Sequence, residues 1–181
     1  MRHIISLLVE NEFGVLARVA GLFSGRGFNI ESLCVGETLD PEISTMTIVT
    51  SGSESILEQI LKQLNKLVNV IKVTDFQNAD YVSREMVLVK INAEEKTREE
   101  VLRMAEIFRG LVVDVSPRSY VVEITGNEEK VQAFLNLVRP LGIKELVRTG
   151  SVAMMRGEKA ARDNKQPKGE SNGEDLLRKR R

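Results

Sequence analysis

The stretch that decides the fold is Asn11-Glu12-Phe13-Gly14-Val15-Leu16, which we call the opening turn. A strand-like apolar run, Ile4 to Val9, leads into it. Apolar residues then recur at helical spacing, at Leu16, Val19, Ala20 and Phe23. The stretch is therefore predicted to be a strand-to-helix turn. Gly14 allows its backbone to approach a ligand, or to take a conformation that a Cβ forbids.

The helix that leaves this turn begins with backbone N–H groups that have no partner within the helix. They carry partial positive charge and suit a carboxylate or a phosphate. No other loop in the sequence is as well equipped to hold a small anion. The alternative is an ordinary tight turn with Asn11 near the helix start, and these six residues alone leave both interpretations open.

The composition excludes several classes of protein. The chain has 181 residues, 42% hydrophobic and 4% aromatic with no Trp, which fits one domain or two small ones with a core of Val, Ile and Leu. Residues 157–181 hold 8 Lys/Arg and 5 Asp/Glu, and the remaining 18 Lys/Arg and 21 Asp/Glu give the body a net charge of −3. Nucleic-acid binding is not expected, because it needs a basic face.

No apolar run approaches the ~20 residues of a membrane helix and no signal-peptide pattern is visible, so a cytoplasmic protein is expected.

Catalytic chemistry is not visible in the sequence. His3 is the only histidine and Cys34 the only cysteine, which leaves no Ser-His-Asp constellation, no internal disulfide and no zinc set of Cys and His. His3 is expected to be structural or exposed, and Cys34 to be a small core residue. The acidic residues lie on predicted helix exteriors, where a solvated face explains them. We therefore predict no catalytic residue and no metal site.

The first part of the chain has the element order β-α-β-β-α-β. Strands are predicted at residues 2–10, 29–36, 45–50 and 70–76. The first helix is predicted to stop near Gly25, and the second to carry a capping box formed by Ser55 and Glu58. This order is the split ferredoxin-like pattern of the α+β class.

The same order returns after a polar linker at residues 77–83. Strands are predicted at residues 85–92, 111–115, 120–125 and 143–148, with residues 152–155 extending the last. A capping box of Thr97 and Glu100 opens one helix, and Asn127 caps the other. The sequence therefore predicts two tandem ferredoxin-like βαββαβ domains, at residues 2–77 and 83–156. The charged tail, residues 157–181, is expected to be disordered.

The second copy lacks the opening motif. Residues 92–96, with the sequence NAEEK, occupy the equivalent turn, with no Gly and two added carboxylates. This turn is therefore expected to bind an anion poorly. If the first domain binds a ligand, the second is expected to have another role.

These residues resemble a known family. The opening turn followed by GFNIESL, residues 27–33, is similar to the start of the small, regulatory subunit of acetolactate synthase (acetohydroxyacid synthase). Later segments fit the same family, among them EIFRG at residues 106–110 and RTG at residues 148–150. The resemblance runs from residue 2 to about residue 156, nearly the whole predicted folded chain.

The resemblance implies an N-terminal ACT domain that binds an amino acid, followed by a second ferredoxin-like domain. Because the second domain lacks the anion-binding turn, we assign it to contact with the catalytic subunit. Small subunits of this family have no catalytic site. They activate a separate catalytic subunit, which holds thiamine diphosphate, Mg²⁺ and FAD and condenses two 2-oxo acids in valine, leucine and isoleucine synthesis. They also confer feedback inhibition, typically by valine. The alternative is a free-standing ACT-domain sensor of another enzyme or of transcription, which should carry a DNA-binding helix pair or a basic surface; neither is visible.

The resemblance also implies a site and a dimer. Two ACT domains are expected to join side by side into one continuous sheet. The carboxylate of valine is expected to bind the backbone N–H groups of the opening turn, and its ammonium two Asn side chains, one supplied by the partner chain. The isopropyl group needs a small apolar pocket. The predicted effector-binding residues are Asn11, Gly14, Val15, Leu16, Asn29, Ile30 and Val35.

Overall fold

The computed structural model describes residues 1–157 and contains two βαββαβ modules in tandem, which confirms the predicted fold class. The first module consists of β1 (Arg2–Glu10), α1 (Val15–Ser24), β2 (Ser32–Glu37), β3 (Ile43–Ser51), α2 (Glu54–Leu64) and β4 (Val70–Asp75). The second consists of β5 (Tyr81–Asn92), α3 (Arg98–Ile107), β6 (Leu111–Ser116), β7 (Ser119–Gly126), α4 (Glu128–Val138), a 3₁₀ turn (Arg139–Leu141), β8 (Ile143–Arg148) and β9 (Val152–Met155). The expected disordered tail lies outside the described residues, apart from Gly157.

Each module is an antiparallel sheet with its two helices packed on one face. The strand orders are β2-β3-β1-β4 and β6-β7-β5-β8, so β1 and β5 are central strands. Short β9 pairs with the first residues of β5. Among the strands described, β2 pairs only with β3 and therefore forms an edge of its sheet.

The alternation of side chains along the central strands builds both cores. In β1, Ile5, Leu7 and Val9 are fully buried against the helices, while the residues between them are half-buried. In β5, Val87, Val89 and Ile91 are buried in the same way. The helices contribute apolar stripes at i, i+3 and i+4, including Phe23 and Ile60 in the first module and Phe134 in the second.

Two strand boundaries differ from the predicted ones. β2 begins at Ser32, three residues later than expected, so Asn29 and Ile30 precede the strand. β5 begins at Tyr81, four residues earlier than expected, because Tyr81–Arg84 pair with β9. That pairing joins segments about 70 residues apart, and no local pattern in the sequence marks it.

The predicted helix caps are confirmed in one case of three. Asn127 caps α4, since its side chain accepts a hydrogen bond from the backbone N–H of Lys130 at 3.1 Å. The cap of α2 is Ser53 rather than Ser55, because Ser53 Oγ accepts from the N–H of Ile56. Thr97 does precede α3, but its hydroxyl donates to the carbonyl of Glu94 and caps no helix N–H.

Cys34 was expected in the core and is half-buried on edge strand β2. The period of two along a strand explains the difference. Leu33 lies opposite buried Ile48 and packs against the first core. Cys34, the next residue, therefore points to the other face, opposite Thr47. Buried His3 has a structural partner, as its Nε2 lies 3.1 Å from the carbonyl oxygen of Gly52.

The two modules contact each other through polar groups. Arg2 forms ion pairs with Glu31 in the first module and with Glu128 at the start of α4. The N–H of Ser151 donates to Ser32 Oγ at 3.1 Å. Over residues 1–157, none of the helices combines the length and the hydropathy needed to cross a membrane.

Candidate effector site

Gly14 is the last residue before α1 and has a left-handed backbone, with φ +85°. This conformation favours glycine over residues that carry a Cβ. A Cβ built on Gly14 meets no atom within 4 Å. The need for glycine is therefore conformational, and the space in front of the turn is open.

The N-terminus of α1 has no compensating group in the described part of the chain. Within residues 1–157, no side chain caps it and no acidic residue lies in its first turn. By contrast, α2, α3 and α4 each carry one or two Glu residues in the first turn. The positive end of the α1 dipole is thus left for another anion.

The donors of this turn differ slightly from the predicted set. The N–H of Val15 already donates to the carbonyl of Glu12 at 3.3 Å. The N–H groups of Gly14 and Leu16 have no acceptor within residues 1–157, and neither does that of Ala17, which was not predicted. Ala17 is found only once the start of the helix is known.

Asn11 ties the opening turn to the β2–β3 turn. Its Nδ2 donates to the carbonyl of Pro41 at 2.8 Å and to a carboxylate oxygen of Glu37 at 3.3 Å. Its backbone N–H donates to the carbonyl of Glu42 at 2.7 Å. Both side-chain bonds use the nitrogen, so the amide oxygen remains an acceptor without a donor in the part of the chain described here.

Asn29 lies at the opposite end of the same sheet. Its carbonyl accepts from Thr50 Oγ1 at 2.7 Å, near the end of β3, whereas Asn11 contacts Glu42, just before β3 begins. Eight residues of extended strand separate those two partners, a span of about 26 Å. One chain therefore does not bring Asn11 and Asn29 together.

The two predicted pocket residues are also separated. Ile30 is half-buried and packs against the first core, before the start of β2. Val35 lies towards the other end of β2, opposite Met46, and is 42% exposed. Within one chain, Val35 is on the side of the opening turn and Ile30 is on the side of Asn29.

Asn69 is a residue of this region that the sequence did not reveal. It is 8% exposed and immediately precedes β4. Its Nδ2 donates to carboxylate oxygens of Glu10 at 2.6 Å and of Glu12 at 3.3 Å, and its Oδ1 accepts from the guanidinium of Arg18. An Asn before an apolar strand is typical of a turn, so only its burial distinguishes it.

The equivalent turn of the second module is built differently. Residues 93–97 contain no glycine, and α3 has Glu99 and Glu100 in its first turn. The guanidinium of Arg98 donates to the carbonyl of Ala93 at 3.3 Å. The two carboxylates compensate the helix dipole from within, so the second module offers no comparable place for an anion.

Comparison with known proteins places both modules in one family. A family model described as "AHAS small subunit-like ACT domain" matches residues 5–72. A second, described as "Small subunit of acetolactate synthase", matches residues 84–157. Together they cover the two modules of the fold.

The chain is similar to known proteins over almost their whole length. The chain is 53% identical over 159 residues to a probable acetolactate synthase small subunit of Archaeoglobus fulgidus, covering 88% of this chain and 99% of that protein. It is 52% identical over 163 residues to the acetolactate synthase isozyme 3 small subunit of Salmonella typhimurium, covering 90% and 100%. The crystal structure of the acetolactate synthase small subunit from Thermotoga maritima superposes with a TM-score of 0.79 at 43% identity, over 87% of this chain and 98% of that one. The chain therefore belongs to the family of acetolactate synthase small subunits.

Proposed function

We propose that this chain activates the catalytic subunit of acetolactate synthase and makes it sensitive to feedback inhibition by valine. The observation that supports this best is the start of α1, which has a left-handed glycine and no cap or acidic residue of its own. A free amino acid supplies the carboxylate that such a helix start lacks.

The ligand is proposed to lie across the dimer. Its carboxylate accepts hydrogen bonds from the N–H groups of Gly14, Leu16 and Ala17, with a smaller contribution from Val15. The amide oxygen of Asn11 accepts from its ammonium group. The helix dipole contributes about 0.3–1 kcal/mol to this binding.

Edge strand β2 makes a side-by-side dimer geometrically suitable. When two β2 strands pair antiparallel about their centre, the beginning of one strand lies beside the end of the other. Asn29 and Ile30 of the partner subunit then come near Glu37, and Glu37 contacts Asn11. Residues that one chain holds about 26 Å apart thus meet in the dimer, where Val35 and the partner's Ile30 supply the apolar pocket.

The second module is proposed to contact the catalytic subunit. It has a complete core, and Glu99 and Glu100 already offset the helix dipole at the start of α3. We therefore do not expect it to bind the effector. Thiamine diphosphate, Mg²⁺ and FAD belong, in this proposal, to the catalytic subunit.

Reconstitution tests the proposal. The tagged chain is expected to co-purify with a thiamine-dependent catalytic subunit, to raise its activity, and to make that activity fall when valine is added. A free-standing sensor of another enzyme or of transcription would bind valine without such a partner. Failure to raise the activity of the purified catalytic subunit would contradict the proposed function.

A further inference from the structure

We propose that Asn69 is a positioning residue, which holds the opening turn in the shape that receives the effector. The inference rests on the proposed function for the identity of the ligand. Asn69 itself contacts neither the donors of the turn nor Asn29.

Asn69 joins three separate elements through one buried amide. Its nitrogen donates to Glu10 at the end of β1 and to Glu12 within the opening turn. Its oxygen accepts from Arg18, in α1. A buried amide with all these bonds resists displacement, because losing them leaves its own nitrogen and oxygen without partners. This side chain therefore fixes the positions of the end of β1, the opening turn and α1 relative to one another.

The backbone adds a second connection at the same place. The N–H of Glu10 donates to the carbonyl of Asn69 at 2.9 Å. The register between β1 and β4 shifts just before this point, as Leu8 pairs with Lys72 and Val9 with Val70. Such a β-bulge re-aims the residues that follow it.

The second module repeats the bulge but not the side chain. Its register shifts between Lys90 and Ile91, and the N–H of Asn92 donates to the carbonyl of Gly142 at 2.8 Å. Gly142 thus occupies the position of Asn69 and has no side chain to reach the turn. The backbone bulge therefore forms in the second module without a side-chain amide. The amide is present only beside the turn that offers its N–H groups to an anion, which argues for a role in binding rather than in folding.

The test compares Asn69→Ala with a matched control in the same loop, Asn65→Ala. Among residues 1–157, the amide of Asn65 donates only to the carbonyl of Leu61, in the helix that precedes it, at 2.9 Å. Hydrogen exchange of the hydrogen-bonded N–H groups of Asn11, Val15 and Arg18 is measured in the full-length protein without ligand, and valine binding is measured by calorimetry. Asn69→Ala is expected to speed exchange in the turn about tenfold and to weaken valine binding about tenfold. Asn65→Ala is expected to leave both unchanged.

A third variant, Glu12→Ala, removes one of the contacts from the exposed side and keeps the test valid if Asn69→Ala does not fold. It is expected to speed exchange in the turn. Where Asn69→Ala folds, the double variant should weaken valine binding no more than Asn69→Ala alone. Wild-type exchange in the turn of Asn69→Ala, or acceleration spread evenly over the first module, would overturn the inference. If the wild-type protein does not bind valine, the proposed ligand is wrong, and the exchange measurement still decides whether Asn69 positions the turn.

Discussion

At the scale of single residues, Gly14 can be identified from its neighbours in the sequence, whereas Asn69 can be identified only from long-range contacts. The turn at Gly14 is predictable because a glycine between a strand pattern and a helix pattern has few local explanations, whereas its role in binding stays a prediction. Asn69 is not predictable in this way because its contacts are with Glu10, Glu12 and Arg18, which are 51 to 59 residues away in the chain. Its local sequence is typical of a simple turn.

Gly14→Asp is expected to abolish valine binding while activation of the catalytic subunit remains. The new carboxylate lies where the carboxylate of the ligand is proposed to bind, and within the chain a Cβ meets no atom within 4 Å. The matched control is Gly14→Ala, which carries a similar left-handed strain of about 1–2 kcal/mol without a charge. Calorimetry should show much weaker binding for Asp than for Ala. Equal affinities of the Asp variant and the wild type would place the site elsewhere.

Asn29→Ala is expected to weaken valine binding by about 1–3 kcal/mol, the usual cost of losing a hydrogen bond to a charged group. A mixing experiment then tests which chain supplies Asn29. If Gly14 and Asn29 of one site come from different chains, a heterodimer of Gly14→Asp and Asn29→Ala chains contains one intact site. Refolding an equal mixture should restore about a quarter of the wild-type sites. No recovery would mean that the two residues do not combine across a dimer.

At the scale of elements, the helix caps give a paired prediction within one module. Asn127→Ala removes a side-chain acceptor for the N–H of Lys130 and is expected to cost about 0.5–2 kcal/mol. Thr97→Ala removes a hydroxyl that binds no helix N–H, so it should change stability by less than about 0.5 kcal/mol. Urea unfolding followed by circular dichroism compares the two variants. A larger loss for Thr97→Ala would contradict this assignment of the caps.

Element type was predictable, whereas some element ends were not. The alternation in β1 and the helical stripes of α2 and α4 depend on local spacing, which the sequence displays directly. The start of β2 and the start of β5 depend on partners in other strands. Ser53 and Ser55 are both suitable caps by sequence, and only the start of α2 at Glu54 decides between them.

At the scale of the whole molecule, the two modules have separate cores, which predicts separable functions. A fragment ending at Gln77 retains all strands and helices of the first core. It is expected to bind valine with nearly wild-type affinity and to activate the catalytic subunit less than the full chain does. Calorimetry and an activity assay measure the two properties. Full activation by the fragment would move the contact with the catalytic subunit to the first module.

The connection between the modules also has a mechanical consequence. Tyr81–Arg84 follow the linker and pair with Val152–Met155, and the N–H of Arg156 donates to the carbonyl of Asp80 at 2.9 Å. A single extended chain swivels freely about its backbone bonds, but a ribbon of two hydrogen-bonded strands resists torsion. The ribbon therefore confines the single-stranded part of the connection to residues 76–80, which limits how freely the first module turns relative to the second.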